Sequence, residues 1–571
     1  MIRTEGLRRL LPAVALASSV ALIASGCSSD SDGGSGGSSG EESVLNVWAG
    51  SQTPLVANFN PYSTGIQNGT LGPIYEPLFY FNRAAAGDPV PMLGMSYEFN
   101  EDGTEITVKT REGVTWNDGT PFTAKDVAFT WNYEPAKPLG LVSAEATDDT
   151  TVVAKFETAQ YTTVAGLFMA AVVPEHIWKD KTVEEAGSWA NEEAVGTGPY
   201  MVESTSSQAF TLTKNPEYWQ EGKPTVEKLR YLGINDNNSA QSLLTTGKID
   251  WTAMFIADTE PVTADGRIAM VNTPQDPTVI YTCSNAELGC TGPQTDVAVR
   301  QAINLVLDRT EINSKAFSEK AGIISPTFAL MPRDEKWLAE GMPEESPQTA
   351  DAAAAEKVLT DAGYAKGGDG IYAKDGERVA MTLVSIDGWT DYNNAAKLIA
   401  EQAAAAGIEI TASTASQAEV DEQKTSGSFQ LMVHGMNGTN VADPYQIYLD
   451  WFTTDKTQPV GTTVPQGDWN FSRFSNPDVD AAVVAAAATD DDAARLEQYT
   501  IIQDAIVTDL PYIPLVINST MTFQNVKDFA GWPTDEDLYA FPPSWGAMAS
   551  GLVVTNRSEE RRVGKECRSR W

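Results

Sequence analysis

The sequence predicts an α/β protein with more than one domain, and three observations support this fold class. The chain has 571 residues, which is too long for a single hydrophobic core. Its hydrophobic content is 42%, with 14 Trp, 18 Tyr and 19 Phe, which is ample for globular packing. In its second half, amphipathic helical patterns alternate with short apolar strand patterns, as is typical of α/β folds.

Residues 110–132, TREGVTWNDGTPFTAKDVAFTWN, predict a tight turn followed by a helix. The Asn-Asp-Gly sequence at 117–119 supplies the capping side chains and the positive φ that a reversal needs. Thr123 is a suitable helix N-cap, and the apolar residues after it recur at helical spacing. Alternating short runs between residues 99 and 156 predict a small antiparallel subdomain around this stretch.

The rest of the chain predicts further strands and helices from its hydrophobic periodicity and its Gly and Pro stops. The predicted strands are 44–48, 105–109, 151–156, 407–411 and 513–517, with a hairpin inside 196–222. The predicted helices are 239–250, one capped by Asp296, 350–362, 392–406 and 490–510.

Charge and motif content exclude several function classes. The formal net charge is −38, and such a field repels phosphate backbones, so we expect no nucleic-acid partner. The sequence contains neither a P-loop, nor a G-x-S-x-G elbow, nor an H-E-x-x-H motif. With His176 and His434 as the only histidines, a His-based triad or a metal site is not expected. The sequence therefore indicates a binding protein that uses no cofactor or metal, and not an enzyme.

Residues 1–27 predict a lipoprotein signal peptide. A cationic start is followed by an apolar run at 10–23, which is too short for a comfortable membrane span. The run ends in Ala-Ser-Gly-Cys, which resembles a lipoprotein signal box with Cys27 as the lipidated residue; the alternative is an ordinary cleaved signal. Residues 28–43 then predict a flexible Ser/Gly linker, and a diacylated Cys27 would hold the protein on the extracytoplasmic face of the cell membrane.

The other cysteines predict one local disulfide. Cys283 and Cys290 enclose six residues of a polar loop, and in an oxidising compartment this spacing favours a bond between them over a metal site. Cys567 lies in residues 557–571, which hold six basic and three acidic residues in an otherwise acidic chain. We expect this segment to be an artefactual or disordered tail outside the fold.

Several blocks of the chain resemble the family 5 extracellular solute-binding proteins, the receptors of peptide-type ABC importers. Residues 110–132 match the family block LR-x-G-V-x-W-x-D-G-x-P-x-T-A-x-D-V, with Thr110 where Leu is usual. Residues 196–222, which open with GTGPY and close with NPEYW, form a second block. Residues 297–312, VAVRQAINLVLDRTEI, form a third, and together the matching blocks span residues 44–555.

The resemblance implies a periplasmic-binding-protein-like α/β fold with two lobes joined by two hinge segments and an extra small subdomain. Lobe I is predicted to combine residues 44–82, 197–275 and 515–556, with the small subdomain 83–196 packed on it. Lobe II is predicted to contain residues 276–514. Two lobes of this kind close over a solute by hinge bending.

The resemblance also implies the partners. It describes a monomeric, membrane-tethered receptor that binds a peptide-like solute and delivers it to the permease and ATPase subunits of an ABC importer. Candidate ligand-binding residues lie in loops that the resemblance aligns with ligand-contacting segments, and for each the alternative is a loop residue that packs within its own lobe. They are Asn60, Tyr62, Trp389, Asn437, Asn440, Asp443 and Trp469.

The solute class depends on one position. Peptide receptors of the family hold the peptide amine with an acid in the segment that matches residues 435–443, because a buried ammonium needs a carboxylate. Thr439 or Asn440 occupies that place here, unless a slip of one or two residues brings Asp443 into it. A peptide is the first hypothesis, an oligosaccharide suits a neutral cleft rich in Trp and Asn, and an extracellular hydrolase is the third.

Overall fold

The structure is a computed structural model that describes residues 43–50, 54–63, 65–465 and 467–559. The predicted signal peptide, its Cys27 and all but the last residue of the predicted linker lie outside the described residues. No helix within the described ranges is long and apolar enough to span a membrane.

The described chain alternates strands and helices, as the periodicity predicts. The strands are β1 (Val44–Trp48), β2 (Phe79–Tyr80), β3 (Val90–Pro91), β4 (Gly94–Phe99), β5 (Glu105–Thr110), β6 (Leu141–Asp148), β7 (Thr151–Phe156), β8 (Tyr200–Thr205), β9 (Ala209–Lys214), β10 (Lys228–Leu232), β11 (Trp251–Ala253), β12 (Ile268–Asn272), β13 (Asp276–Thr282), β14 (Ala365–Lys366), β15 (Tyr372–Lys374), β16 (Glu377–Arg378), β17 (Ala380–Ile386), β18 (Glu409–Ala415), β19 (Leu431–Gly435), β20 (Tyr512–Asn518), β21 (Met521–Asn525), β22 (Phe529–Ala530) and β23 (Ser558–Glu559). The helices are α1 (Ala124–Asn132), α2 (Val164–Met169), α3 (Glu175–Trp178), α4 (Val183–Ser188), α5 (Asn237–Thr245), α6 (Glu260–Thr263), α7 (Val297–Val306), α8 (Arg309–Ala316), α9 (Ala352–Asp361), α10 (Thr390–Ala405), α11 (Gln417–Ser426), α12 (Tyr445–Phe452), α13 (Pro477–Ala487), α14 (Asp492–Asp509) and α15 (Met548–Asn556).

The first lobe is built on a sheet of seven strands in the order β12–β21–β11–β1–β10–β9–β8. At its centre β1 pairs in parallel with both β10 and β11. Leu45 and Val47 of β1 are fully buried because alternate residues of a strand point to the same face. β21, from far along the chain, lies between β11 and β12, so the sheet joins distant parts of the sequence.

The second lobe is built on a sheet of five strands in the order β18–β17–β19–β13–β20. β17 runs parallel to β18 and β19, whereas β13 runs antiparallel to β19 and β20. Ile280 on one face of β13 packs with the apolar sides of α7 and α10, and Tyr281 on the other face packs with Trp451 of α12. β13 and β20 are therefore buried along nearly their whole length, whereas the edge strand β18 is polar at several positions and partly exposed.

A four-stranded antiparallel sheet, in the order β4–β5–β7–β6, carries the turn and helix predicted for residues 110–132. Gly119 has a φ of 86°, the side chains of Thr123 and Asp126 form a capping box at the start of α1, and Trp116 is fully buried. The predicted turn, N-cap and buried helix face are confirmed.

Within the part of the chain that the structure describes, the backbone passes between the two large sheets twice, at residues 273–275 and at residues 519–520. The two crossings bond to each other: the amide of Thr273 donates to the carbonyl oxygen of Thr520 at 3.0 Å, and the amide of Thr520 donates to Oδ1 of Asn272 at 3.1 Å. These are the two hinge segments that the resemblance implies.

Both sheets present the carboxyl ends of their parallel strands to this junction. In the second lobe the end of β19, Gly435, pairs with Thr278, close to the crossing that leads into β13. In the first lobe the end of β11, Ala253, pairs with Thr522, next to the crossing that leads into β21. Because ligands of α/β proteins bind outside the carboxyl ends of the strands, the site is expected between the lobes.

The tail was predicted to begin at residue 557, but residues 557–559 belong to the fold. Arg557 is fully buried, its guanidinium lies 4.0 Å from the centre of the Trp532 ring, and β23 pairs with β22. Desolvation of a buried guanidinium is offset here by the ring and by the carbonyl oxygen of Val553, to which Nε donates. Residues 560–571 of the predicted tail lie outside the described residues.

Candidate functional site

A cavity of about 330 Å³ lies between the two lobes, and most of its wall is apolar. The first lobe and the small subdomain supply nearly all of this wall, and the loop after β19 closes it with one residue from the second lobe. The lining residues are Leu71, Tyr80, Phe81, Arg83, Ala165, Gly166, Met169, Ala170, Asn440, Phe541, Trp545, Gly546, Ala547, Met548 and Ala549. Apolar walls with few polar groups are characteristic of small-molecule sites.

The aromatic wall is assembled from the two ends of the described chain. The amide of Phe541 donates to the hydroxyl of Tyr80 at 3.1 Å, and the rings of Phe541 and Trp545 meet edge to face at 5.5 Å. Ser544 between them donates to the carbonyl oxygen of Trp48 at the end of β1. The segment that carries Trp545 is therefore fixed to the central strand of the first lobe.

The backbone beside this wall is strained. Ala547, which lines the cavity and precedes α15, has a φ of 48° and a ψ of −122°, a conformation that residues with a Cβ rarely adopt. Strain of this kind persists where the surrounding structure requires it, often at binding sites.

Arg83 links the lobes at the edge of the cavity. Its Nη2 donates to Oδ1 of Asp276 at 3.0 Å, and the same oxygen accepts from the amide of Gly438 at 2.9 Å. The guanidinium carbon lies 4.8 Å from the centre of the Phe541 ring. The carbonyl oxygen of Arg83 accepts from Nη1 of Arg333, which belongs to the second lobe.

Three other cavities are less suited to a solute. A cavity of about 470 Å³ also has walls from both sides of the junction, residues 84–86 and Leu538 on one side and Ile323 and Met331 on the other, and it borders residues 272–275 on the hinge side. A cavity of about 280 Å³ also has walls from both sides of the junction, with Phe81, Tyr97 and Tyr161 on one side. On the second-lobe side it is lined by Asp443, Arg495, Lys336 and Asp492, whose charges are already paired. The largest, of about 500 Å³, lies inside the second lobe beside the disulfide between Cys283 and Cys290, away from the junction.

Asn440 is the predicted site residue that lines the interlobe cavity, and Asn437 is exposed in the same loop. Trp389 is 42% exposed just after the end of β17, at the same edge of the five-stranded sheet. Its ring meets Tyr392 edge to face at 5.3 Å, and it does not line the cavity. These three residues therefore share one edge of the second lobe.

Asp443 is held within the second lobe. Its carboxylate accepts hydrogen bonds from the hydroxyl of Tyr499 at 2.6 Å, from the amide of Tyr445 at 2.8 Å and from Nη1 of Arg495 at 3.2 Å. Burial raises the pKa of Asp443, while these hydrogen bonds and the charge of Arg495 oppose the rise. The carboxylate therefore already has partners for both oxygens.

Of the other predicted site residues, Asn60 and Tyr62 pack against the small subdomain and Trp469 packs inside the second lobe. Asn60 is fully buried, and its amide donates to the carbonyl oxygens of Ala186 and Trp189 at 2.5 and 2.7 Å. The Tyr62 ring lies 5.1 Å from that of Trp178, and Trp469 lies 5.8 Å from Trp451 in the second lobe. None of the three lines the interlobe cavity.

Four polar or aromatic residues that line the cavity were not predicted from the sequence: Tyr80, Arg83, Phe541 and Trp545. Arg83 could have been noticed in the sequence, because it is the first cation after the aromatic run FYFN at 79–82. Among the described residues, no group of three or more His, Cys, Asp or Glu is placed to hold a metal ion.

Comparisons with known proteins agree with a two-lobed receptor. The family described as bacterial extracellular solute-binding proteins, family 5 middle, matches residues 88–458. Protein XP55 of Streptomyces lividans is 30% identical over 430 residues, which are 72% of this chain and 73% of that protein. The glutathione-binding protein GsiB of Escherichia coli strain K12 is 26% identical over 517 residues, 85% of this chain and 92% of GsiB.

Solved structures share the fold. The periplasmic oligopeptide-binding protein of an oligopeptide ABC transporter from Thermotoga maritima has a TM-score of 0.80 and 25% identity, covering 91% of this chain and 99% of that one. Its mannohexaose-bound structure has a TM-score of 0.71 and 24% identity, with the same coverage.

Proposed function

Because this chain belongs to the family 5 bacterial extracellular solute-binding proteins, we propose that it binds a peptide-like solute between its lobes and delivers it to the permease of an ABC importer. The observation that carries the proposal is the interlobe cavity, whose aromatic wall comes from the first lobe and whose cover, Asn440, comes from the second. A solute bound there contacts both lobes at once, so it stabilises the closed arrangement over the open one.

The domain division predicted from the sequence is part of this proposal. Lobe I as residues 44–82, 197–275 and 515–556 is supported by the seven-stranded sheet, which combines β1, β8–β12 and β21. Lobe II as residues 276–514 is supported by the five-stranded sheet, apart from the end of β20, which reaches Asn518. The small subdomain, residues 83–196, contains the four-stranded sheet.

For the site, we propose two groups of ligand-contacting residues. Asn440 meets the solute from the second lobe, against Tyr80 and Trp545 of the first. Asn437 and Trp389 lie at the same edge of the five-stranded sheet and would contact a solute that extends beyond the cavity. In this proposal Asn60, Tyr62, Asp443 and Trp469 shape the walls of the lobes through their internal contacts.

The membrane-tethered location is also a proposal. It rests on the N-terminal sequence, with lipid on Cys27 and the Ser/Gly linker at 28–43 between anchor and lobe. We further propose that the receptor acts as a monomer and that the permease and ATPase subunits of the importer are its protein partners.

A peptide is favoured first by relatives whose names refer to glutathione and to oligopeptides. One observation favours an oligosaccharide as the second candidate: the cavity combines aromatic rings with a neutral amide, Asn440, and such surfaces stack and hydrogen-bond sugars. The Thermotoga maritima neighbour, named as an oligopeptide-binding protein, has also been crystallised with mannohexaose.

Mass spectrometry of solute retained by the purified protein tests the proposal. Peptides released on denaturation, together with saturable thermal stabilisation by added peptides, are expected. Retention and stabilisation by oligosaccharides alone would support the second candidate. Incubation with peptides and glycans covers the remaining hypothesis, because cleavage products that accumulate with time would identify a hydrolase and contradict a pure receptor.

A further inference from the structure

The charge that faces the interlobe cavity is positive. Among the described residues that line it, Arg83 is the one charged side chain, and the others are apolar, aromatic or neutral. The overall charge of −38 gives no hint of this, because exposed charges more than about 8 Å away are largely screened at physiological ionic strength.

The guanidinium of Arg83 has hydrogen-bond donors that are not used within the protein. A guanidinium carries five N–H groups, and the salt bridge to Asp276 uses Nη2 at 3.0 Å. Its Nε is buried and has no hydrogen-bond partner among the described residues. That burial also keeps Nε out of reach of a solute. Nη1 is not buried in this way and forms no hydrogen bond with a described residue, so it is the donor that an acceptor on a bound solute can reach. The Phe541 ring, 4.8 Å from the guanidinium, leaves the edge of the guanidinium for this contact.

Among the described residues that line the same cavity, none has a carboxylate for a solute amine. Asp443 is bonded by Tyr499, Arg495 and the amide of Tyr445, and the loop residue that does reach the cavity is Asn440. Asp276 shares its Oδ1 between Arg83 and the amide of Gly438, and it does not line the cavity. An ammonium buried against this wall would be left without an opposite charge.

We propose that the receptor recognises its solute through a carboxylate bound by Arg83, and that it does not require a free amine. The inference rests on the proposed function, since it assigns the chemistry of the same interlobe site. Two sources supply a carboxylate, the C-terminus of a peptide and an acidic side chain or small organic acid. Arg83 is then the residue that determines specificity, and Asp276 competes with the solute for its guanidinium.

The test uses a pool of synthetic peptides of three to five residues that lack Asp and Glu, in several chemical forms. The forms are free at both ends, N-acetylated, C-amidated, and C-amidated with one Glu added. Parallel arms contain dicarboxylic acids and neutral oligosaccharides. Retention by the protein is measured by ultrafiltration and mass spectrometry, and dissociation constants follow for the retained compounds.

We expect the free and N-acetylated pools to bind alike and the C-amidated pool to bind about 10- to 100-fold more weakly, the range for a charge-assisted hydrogen bond. Recovery by the added Glu would assign the site to any carboxylate, whereas failure to recover would assign it to the C-terminus. Equal binding of acid and amide forms, or loss on N-acetylation, would overturn the inference and leave the peptide receptor intact. Retention of oligosaccharides alone, or of nothing, would overturn both, and retention of dicarboxylic acids alone would support the carboxylate and overturn the peptide.

Variants separate recognition from a structural role of Arg83. R83Q should abolish the preference for acid over amide forms, whereas loss of an interlobe contact alone would weaken both forms equally. D276N removes the competitor, so it should leave carboxylate binding unchanged or strengthen it; weakening equal to that in R83Q would contradict the proposal. R111Q is the matched control, because Arg111 also lies over an aromatic ring, 4.0 Å from the centre of Trp219, but outside the cavity.

Discussion

The carboxylate of Asp443 lies between Arg495 and Tyr499, accepting from Nη1 at 3.2 Å and from the hydroxyl at 2.6 Å. The side chains of Asp443 and Arg495 are only 13% and 10% exposed, so this ion pair is shielded from water. It joins the loop after β19 to α14. These contacts explain why the carboxylate of Asp443 is not available to bind the amine of a solute.

Replacing Asp443 with Ala should lower the stability of the second lobe without removing the binding site. Breaking a buried pair leaves Arg495 without its partner, so we expect a loss of about 3 kcal/mol in the free energy of unfolding. Urea denaturation followed by tryptophan fluorescence measures it. The control is D492N, whose carboxylate pairs with Lys336 in an exposed position and should cost less than about 1 kcal/mol. Loss of solute binding in folded D443A would instead identify Asp443 as a ligand contact.

Glu76 should make the protein less stable as the pH rises. Burial raises its pKa to about 7, against hydrogen bonds from Trp219 and Tyr218 that favour the charged form. Because the folded state holds this proton more tightly than the unfolded state, the stability it contributes is present below pH 4.5 and is lost as the pH rises through about 7. The change amounts to roughly 3 kcal/mol. In E76Q this dependence of stability on pH should disappear.

Thermal unfolding of E76Q between pH 4.5 and 8 measures the slope. E217Q is the matched control, since Glu217 is an exposed acid of the same segment that holds Tyr218 and Trp219. A slope in E76Q equal to that of the unmodified protein would show that another group releases the proton.

His434 should have the opposite effect on stability, making the protein less stable as the pH falls. Burial and the nearby Lys424, whose Nζ lies 3.4 Å from Nε2, lower its pKa from 6.5 to about 4. The unfolded state then binds the proton more tightly, so the stability is present above pH 6.5 and is lost as the pH falls through about 4. H434Q should remove up to about 3 kcal/mol of this acid-induced loss.

K424M offers an independent check, since it removes the charge and leaves the imidazole. The acid-induced loss should become smaller in K424M than in the unmodified protein, as measured by urea denaturation at pH 4.5 and pH 7. An unchanged loss would mean that Lys424 does not contribute to the low pKa of His434. Because the effects of Glu76 and His434 offset one another in the intact chain, single variants are needed to see either one.

The fold could be predicted where the sequence determines structure locally. Thr123 caps α1 because its side chain and that of Asp126 satisfy the first free amides of the helix, and both residues lie within four positions. Cys283 and Cys290 are seven positions apart, and their Cα atoms lie 5.4 Å from each other. The buried start of the predicted tail was not predictable, since the partner of Arg557 is the distant ring of Trp532.

The site was predictable only in part for the same physical reason. Asn440 was predicted because the resemblance aligns its loop with ligand-contacting segments, and its role in binding stays a prediction. It lines the cavity because this loop leaves the carboxyl end of β19 at the junction. Tyr80 and Phe541 are joined by a hydrogen bond across 461 positions, and nothing local in either segment indicates the other. Asn60 was expected in the cleft, but its amide satisfies two buried carbonyl oxygens, a need that appears only in the folded protein.

Variants at two partly exposed tryptophans can show whether a solute binds only inside the cavity or also on the surface around it. Trp545 is 37% exposed and lines the cavity, whereas Trp389 is 42% exposed at the edge of the second lobe. Both side chains are more than half buried, Trp545 against Phe541 and Trp389 against Tyr392, so truncating either should cost a similar amount of stability, about 1–2 kcal/mol. W545A should weaken binding of every solute about 10- to 100-fold, since a bound solute buries this ring. W389A should weaken binding only of solutes that extend beyond the cavity.

Isothermal titration with retained peptides of three residues and of eight or more residues separates the two effects. The matched design controls for the loss of an indole, because both variants remove the same side chain from similarly exposed positions. Equal affinities for W389A and the unmodified protein at every peptide length would remove Trp389 from the site. Unchanged affinity in W545A would be more serious, because it would mean that the solute does not occupy the interlobe cavity and that the aromatic wall on the first lobe serves only to support α15.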